Sequence, residues 1–122
     1  LGNIMSDSKI RRKSKSYGVT LYTAVASCEA VPMVDMAGGI ASMGTVSSSA
    51  ESLHVYVSDE EAGSYVRLYD NVGSPANITL QPSTADGKAY ALPDAAFASQ
   101  YIKLVSGDTN STGVTVTVTM KG

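Results

Sequence analysis

Between Val114 and Lys121, apolar and polar residues alternate without a break. Val114, Val116, Val118 and Met120 fall on one side, and Thr115, Thr117, Thr119 and Lys121 on the other. Successive side chains of a strand point to opposite faces, so the run reads as a strand with one face in a core and one in water. A helix repeats every 3.6 residues and cannot gather these residues on one face. A chain that closes on such a strand must supply other strands to cover it.

The same period recurs upstream. Tyr17, Val19, Leu21, Thr23 and Val25 alternate with Gly18, Thr20, Tyr22, Ala24 and Ala26. Leu53, Val55 and Val57 alternate with His54 and Tyr56, and Tyr65, Arg67 and Tyr69 with Val66 and Leu68. Ile102 and Leu104 are expected inward in the run Tyr101 to Val105. Shorter extended pieces are expected at Val31–Val34, where Pro32 restricts Val31 to extended geometry, and at Ile40–Val46, Asn77–Gln81 and Ala89–Leu92. Turn signals separate them: Gly38-Gly39, Ser47-Ser48-Ser49, Asp59 to Gly63, Asp70-Asn71-Val72-Gly73, Asp86-Gly87 and the polar stretch from Gly107 to Gly113. Pro93 followed by Asp94 to Ala98 predicts one helical turn. Seven or eight short strands at this spacing predict an all-β, antiparallel β-sandwich, jelly-roll or immunoglobulin-like, with an extended N-terminal arm.

At 122 residues the chain fits one domain and can bury roughly two-thirds of its unfolded surface. The charge is divided. Residues 1–16 hold five cations (Lys9, Arg11, Arg12, Lys13 and Lys15) against the single acid Asp7, while the remaining residues are acidic in sum. The expected organisation is a basic arm at 1–16, disordered until a partner orders it, extended strands and linker at 17–50, and a sandwich body at 51–122. Residues 17–122 form one domain in this reading. Met5-Ser6 reads as a natural start, which makes residues 1–4 an upstream extension.

Several chemistries are weak on these residues. Cys28 is the sole cysteine and His54 the sole histidine, so neither an internal disulfide nor a Cys/His metal site can form. His54 lacks a nucleophile elbow and an evident orienting acid, and is expected to be an outward strand residue, not a catalyst. Asp59, Glu60 and Glu61 lack the spacing of a calcium loop and read as a solvated turn, as do Asp108, Thr109 and Asn110. No catalytic residue, metal or cofactor is expected. Ala26-Ser27-Cys28 after a basic run has the outline of a lipoprotein export signal, but Thr20, Tyr22 and Thr23 interrupt its apolar part. Asn77-Ile78-Thr79 and Asn110-Ser111-Thr112 then carry no weight as glycosylation sites. No apolar run reaches the ~18–20 residues of a membrane helix.

Two features point to binding. The arm, Lys9 to Lys15 with Tyr17 at its border, suits an acidic protein surface or, as an alternative, the phosphates of nucleic acid. Tyr56, Tyr65 and Tyr69 should share a face of paired strands, a candidate protein interface and, as an alternative, a sugar-stacking platform.

From Val31 onward the order of segments resembles the small β-sandwich virion proteins of tailed bacteriophages. The segments are Val31-Pro32-Met33-Val34-Asp35, Leu53 to Asp59, Tyr65 to Asp70, Ala89 to Ala98, Tyr101 to Gly107 and the closing Thr/Val strand. The sequence departs from that pattern in having no tryptophan. The resemblance implies a capsid decoration, or cement, protein on the capsid exterior. Its partner would be the major capsid protein, and its state a homo-oligomer, with a trimer at local threefold axes as the expectation. Two alternatives remain: a carbohydrate- or receptor-binding module of a tail or fibre, and a nucleic-acid-binding accessory protein.

Overall fold

The computed structural model describes residues 13–43, 51–80, 88–107 and 114–122. The described chain is all-β, two antiparallel sheets packed face to face as a β-sandwich. The strands are β1 (Ser14–Thr20), β2 (Val31–Pro32), β3 (Gly38–Met43), β4 (Glu51–Ser58), β5 (Val66–Arg67), β6 (Ile78–Leu80), β7 (Lys88–Ala91), β8 (Tyr101–Ser106) and β9 (Thr115–Lys121). The first sheet runs β1-β9-β3-β7, and the second runs β2-β8-β4-β5, with β6 also paired to β4.

The closing alternation does what its period demands. Val116, Val118 and Met120 are buried, whereas Thr115, Thr117 and Lys121 are exposed. Both neighbours of β9 follow its register: Val19 lies opposite Val116, and Ala41 opposite Val118. From the second sheet come Leu53 and Val55 of β4, Ile102 and Leu104 of β8, Val31 and Ile78. All join one buried cluster with the β9 residues. Tyr17, Tyr90 and Phe97 pack at its margin, so aliphatic side chains and methionines fill the interior. Burial of this kind contributes about 25 cal/mol per Å² of apolar surface and supplies most of the driving force.

One residue carries the chain between the sheets. The Leu21 N–H donates to Val114 O at the end of the first sheet, and the next carbonyl, Tyr22 O, accepts from Ser106 N on β8. Leu21 itself is fully buried. Chain reversals follow the expected residues. Asp70 Oδ1 accepts from the N–H groups of Val72 and Ser74 at 2.9 Å, and Gly73 supplies a φ of 85°. The helical turn after Pro93 is a 3-10 turn, Asp94–Ala98, with Ala96 buried.

Three expectations shift, the first being that the alternation from Tyr17 to Val25 leaves the sheet after Thr20, with a 3-10 turn at Val25–Ser27. Gly38-Gly39, read as a turn or hinge, opens β3 instead. Gly39 lies opposite Met120 on the inner side, where an added Cβ would sit 2.5 Å from Thr119 O and 2.8 Å from Met120 Cγ. The glycine is there for close strand approach, not for bending. The turn lies just before it, closed by the Met36 N–H bond to Met33 O, with Asp35 at φ 67°. That is the type II pattern, in which the third residue takes positive φ and Asp is among the tolerated side chains. Finally, the first strand starts at Ser14 and not at Tyr17, because Lys15 continues the inner parity of Tyr17 and Val19 opposite β9. The serine joint at 47–49, the Asp86-Gly87 turn and the loop from 108 to 113 lie outside the described residues.

Gly39→Ala is expected to destabilise by about 1–3 kcal/mol through overpacking. Gly38→Ala, where the new Cβ meets nothing within 4 Å, should stay within roughly 0.5 kcal/mol of the parent. Urea unfolding of both proteins checks this. Equal losses would show that β3 does not lie against β9 in this register.

Candidate functional site

Strand parity builds the site. On β4, Leu53 and Val55 face the core, so His54 and Tyr56 face out. On β8, Ile102 and Leu104 face the core, so Tyr101, Lys103 and Val105 take the outer side. Register then sets neighbours side by side: Ser58 with Tyr101, Tyr56 with Lys103, His54 with Val105. Tyr56 also lies opposite Arg67 of β5. The outer face of the second sheet therefore carries a row Lys103–Tyr56–Arg67 across three strands. Tyr65 and Tyr69 share the parity of Arg67, two residues to either side.

The rings and cations are interleaved. Lys103 Nζ sits 4.5 Å from the centroid of Tyr65, and the Arg67 guanidinium carbon 5.8 Å from that of Tyr69. Both distances are within cation–π reach. Lys103 Nζ also donates to Val25 O at 3.1 Å, and Arg67 Nη2 donates to Asn77 Oδ1 at 3.0 Å. Arg67 Nε is buried without a hydrogen-bond partner. The Tyr65 hydroxyl donates to Glu61 O at 2.7 Å. Burial, then the nearby Glu61 charge and Tyr101, hold its pKa above the ordinary tyrosine value, so it stays a donor at neutral pH. Among the described residues the one ion pair is Lys13–Asp35, at 2.7 Å. Neither Lys103 nor Arg67 has a described carboxylate within ion-pair distance.

The chain beside β8 closes one margin of this face. Ser106 N and Lys103 Nζ hold Tyr22 O and Val25 O. Cys28 is buried there, with its thiol directed at Tyr22 O and Ala24 O at 3.5 and 3.4 Å. Burial pushes the Cys28 pKa up, against smaller opposing effects from the Tyr22 carbonyl and Lys103.

His54 lies beside the row, half-buried, with its pKa lowered first by burial and then by the Arg67 charge. Asp59, Glu60 and Glu61 form the exposed turn expected of them, pinned by Ser58 Oγ donating to Glu60 O at 2.9 Å. Among the described residues no group of three His, Cys, Asp or Glu side chains is placed to hold a metal ion.

The sequence-derived candidates separate. Tyr56, Tyr65 and Tyr69 do share a face. Of the arm, Lys9, Arg11 and Arg12 lie outside the described residues, whereas Lys13 pairs with Asp35 and Lys15 stands on β1 opposite Met120. Tyr17 packs against the core margin opposite Val118, so it belongs to the sheet and not to the arm. Sequence reasoning passed over Arg67, Lys103, Tyr101 and Asn77 as site residues. For Tyr101 and Lys103 the signal was present, since they alternate with the inward Ile102 and Leu104. The Asn77 contact depends on β6 folding back on β4 and has no local signature.

The chain matches no protein-family model, no curated protein and no solved structure.

Two outcomes follow. A histidine with a lowered native pKa leaves the unfolded chain binding more protons as pH falls below about 6.5, so its contribution is present above that pH and is lost through the native pKa. The melting temperature is expected to fall between pH 7.5 and 5, and to fall less in His54→Gln. Identical slopes would remove His54 from the account. Native Cys28 should react with iodoacetamide at pH 8 at least about tenfold more slowly than in urea, because the thiolate is both disfavoured and covered.

Proposed function

We propose that this chain is a structural virion protein, a cement domain that decorates a tailed-phage capsid from outside and bridges neighbouring subunits of the major capsid protein. The observation that carries the reading is the outer face of the second sheet, where tyrosines alternate with Lys103 and Arg67. Tyrosine and arginine are enriched where proteins bind one another, since each offers a broad apolar surface with polar tips. Cations without a carboxylate partner among the described residues suit a partner that supplies one. The resemblance of the segment order to phage sandwich proteins adds to this, as does the basic stretch that leads into β1.

The alternative of a sugar platform fits less well. Sugars stack on open ring faces, and Tyr65 and Tyr69 each already have a cation over one face. In the arm, Lys9, Arg11 and Arg12 add charge that would meet acidic patches on the shell. Bridging needs contacts of ordinary size, about 800 Å² per partner, and no chemistry.

Stained-gel quantification of purified particles should find this chain in numbers comparable to the shell subunit. Arg67→Ala combined with Lys103→Ala should lower occupancy at least about tenfold at physiological salt, measured well below the melting temperature of the variant, which also loses the bonds to Asn77 and Val25. Removing residues 1–12, which spares β1 and Lys13, should lower occupancy most at low salt and flatten its dependence on salt. Absence from washed particles would sink the reading. Tyr65-dependent binding on a glycan array would move the assignment to the receptor-binding class.

A further inference from the structure

The free edge of β1 has a pattern of its own. Gly122 N donates to Lys13 O and Leu21 N to Val114 O. With Ser14 opposite Lys121 and Thr20 opposite Thr115, these two bonds fix the parity of the ladder. Odd-numbered residues Lys15, Tyr17 and Val19 direct their main-chain groups toward β9. Ser14, Ser16, Gly18 and Thr20 direct theirs away from it. β1 ends the first sheet, and no described strand covers that side. The edge carries no proline, and no bulge interrupts its register from Ser14 to Thr20.

We propose that β1 is a self-pairing edge: two copies of this chain associate in solution by antiparallel β1–β1 pairing about Gly18, joining their four-stranded sheets into one continuous sheet. The sequence around Gly18 is self-complementary in that arrangement. Gly18 meets Gly18 on the dyad, where a Cβ would find open space. Ser16 meets Thr20 on the outer side, a hydroxyl pair of the kind that supports adjacent strands. Tyr17 meets Val19 on the inner side, an aromatic–β-branched pair.

Charge selects this direction. Lys13 and Lys15 lie at one end of β1, and both are cationic beside further cations in the sequence. Parallel pairing would set lysine against lysine at about 5 Å. Antiparallel pairing about Gly18 puts the two Lys15 residues six positions apart, about 20 Å, well beyond the ~8 Å screening length of physiological salt. A seven-residue edge is smaller than the 20–30 residues a side of a standard interface, so the dimer is weak and belongs to the micromolar-to-millimolar range. A twofold contact of this kind is distinct from the threefold association that the phage resemblance implies.

Sedimentation equilibrium of the full chain from 10 to about 500 µM should show a concentration-dependent dimer. Ser16→Pro removes an outward N–H, which an edge strand tolerates, and one exposed hydroxyl contact to Thr119 at 3.3 Å. It should weaken the dimer at least tenfold with an unchanged unfolding profile. Gly18→Cys gives a register test that needs no loss of fold. Hydrogen-bonded partners lie about 5.5 Å apart at Cα, within disulfide range. The oxidised Gly18→Cys protein should therefore cross-link, while Thr20→Cys, whose partner is Ser16, should not. A monomer throughout the range overturns the proposal. So does a dimer indifferent to Ser16→Pro in a folded protein, or equal cross-linking at positions 18 and 20. Particle occupancy is read separately, so either proposal can fail alone.

Discussion

The packing of β9 against the second sheet is the contact on which the rest depends. Val116, Val118 and Met120 bury completely in one cluster with Leu53, Val55, Ile102 and Leu104. β9 also holds β1 on one side and β3 on the other. Fixing its inner parity thus fixes theirs, because a one-residue slip would turn every apolar side chain to water. The outer face of the second sheet is set by the same cause. Once Leu53 and Leu104 point inward, Tyr56 and Lys103 can only point outward, side by side.

That causal order explains what could be read from the sequence. The parities of β4, β8 and β9 were legible because their apolar residues alternate cleanly, and so the shared face of Tyr56, Tyr65 and Tyr69 was legible too. The Lys103–Tyr56–Arg67 row needed inter-strand register, which no local pattern encodes. The run from Tyr65 to Tyr69 alternates well but pairs with β4 only at Val66 and Arg67, and Val66 remains 63% exposed. Alternation there reflects a strand at the sheet's margin. Gly38-Gly39 was misread because glycine signals both bends and close approach. Only the position of Thr119 and Met120 distinguishes the two.

The two outer faces differ in chemistry although one core orders both. On the first sheet, Ser16, Gly18, Thr115, Thr117, Ser42 and Ala91 leave a surface of small side chains, with Ile40 its largest apolar residue. Its main chain, not its side chains, offers bonding at the β1 edge. On the second sheet, long side chains cover the backbone and offer rings and charge. The two surfaces share no residues.

Charge contributes little to holding the described fold together. Lys13–Asp35 is its one described ion pair, and both side chains are more than half exposed, so the pair adds little at physiological salt. The Lys13 ammonium holds the Asp35 carboxyl below its ordinary pKa, a sign of local contact and not of buried strength. The interior is filled by aliphatics and by Met33, Met36, Met43 and Met120, whose unbranched side chains fit irregular gaps. Stability then resides in apolar packing. Lys103 and Arg67 tie Val25 and Asn77 to the outer face of the second sheet through single hydrogen bonds, whereas the core beneath is held by apolar contact alone.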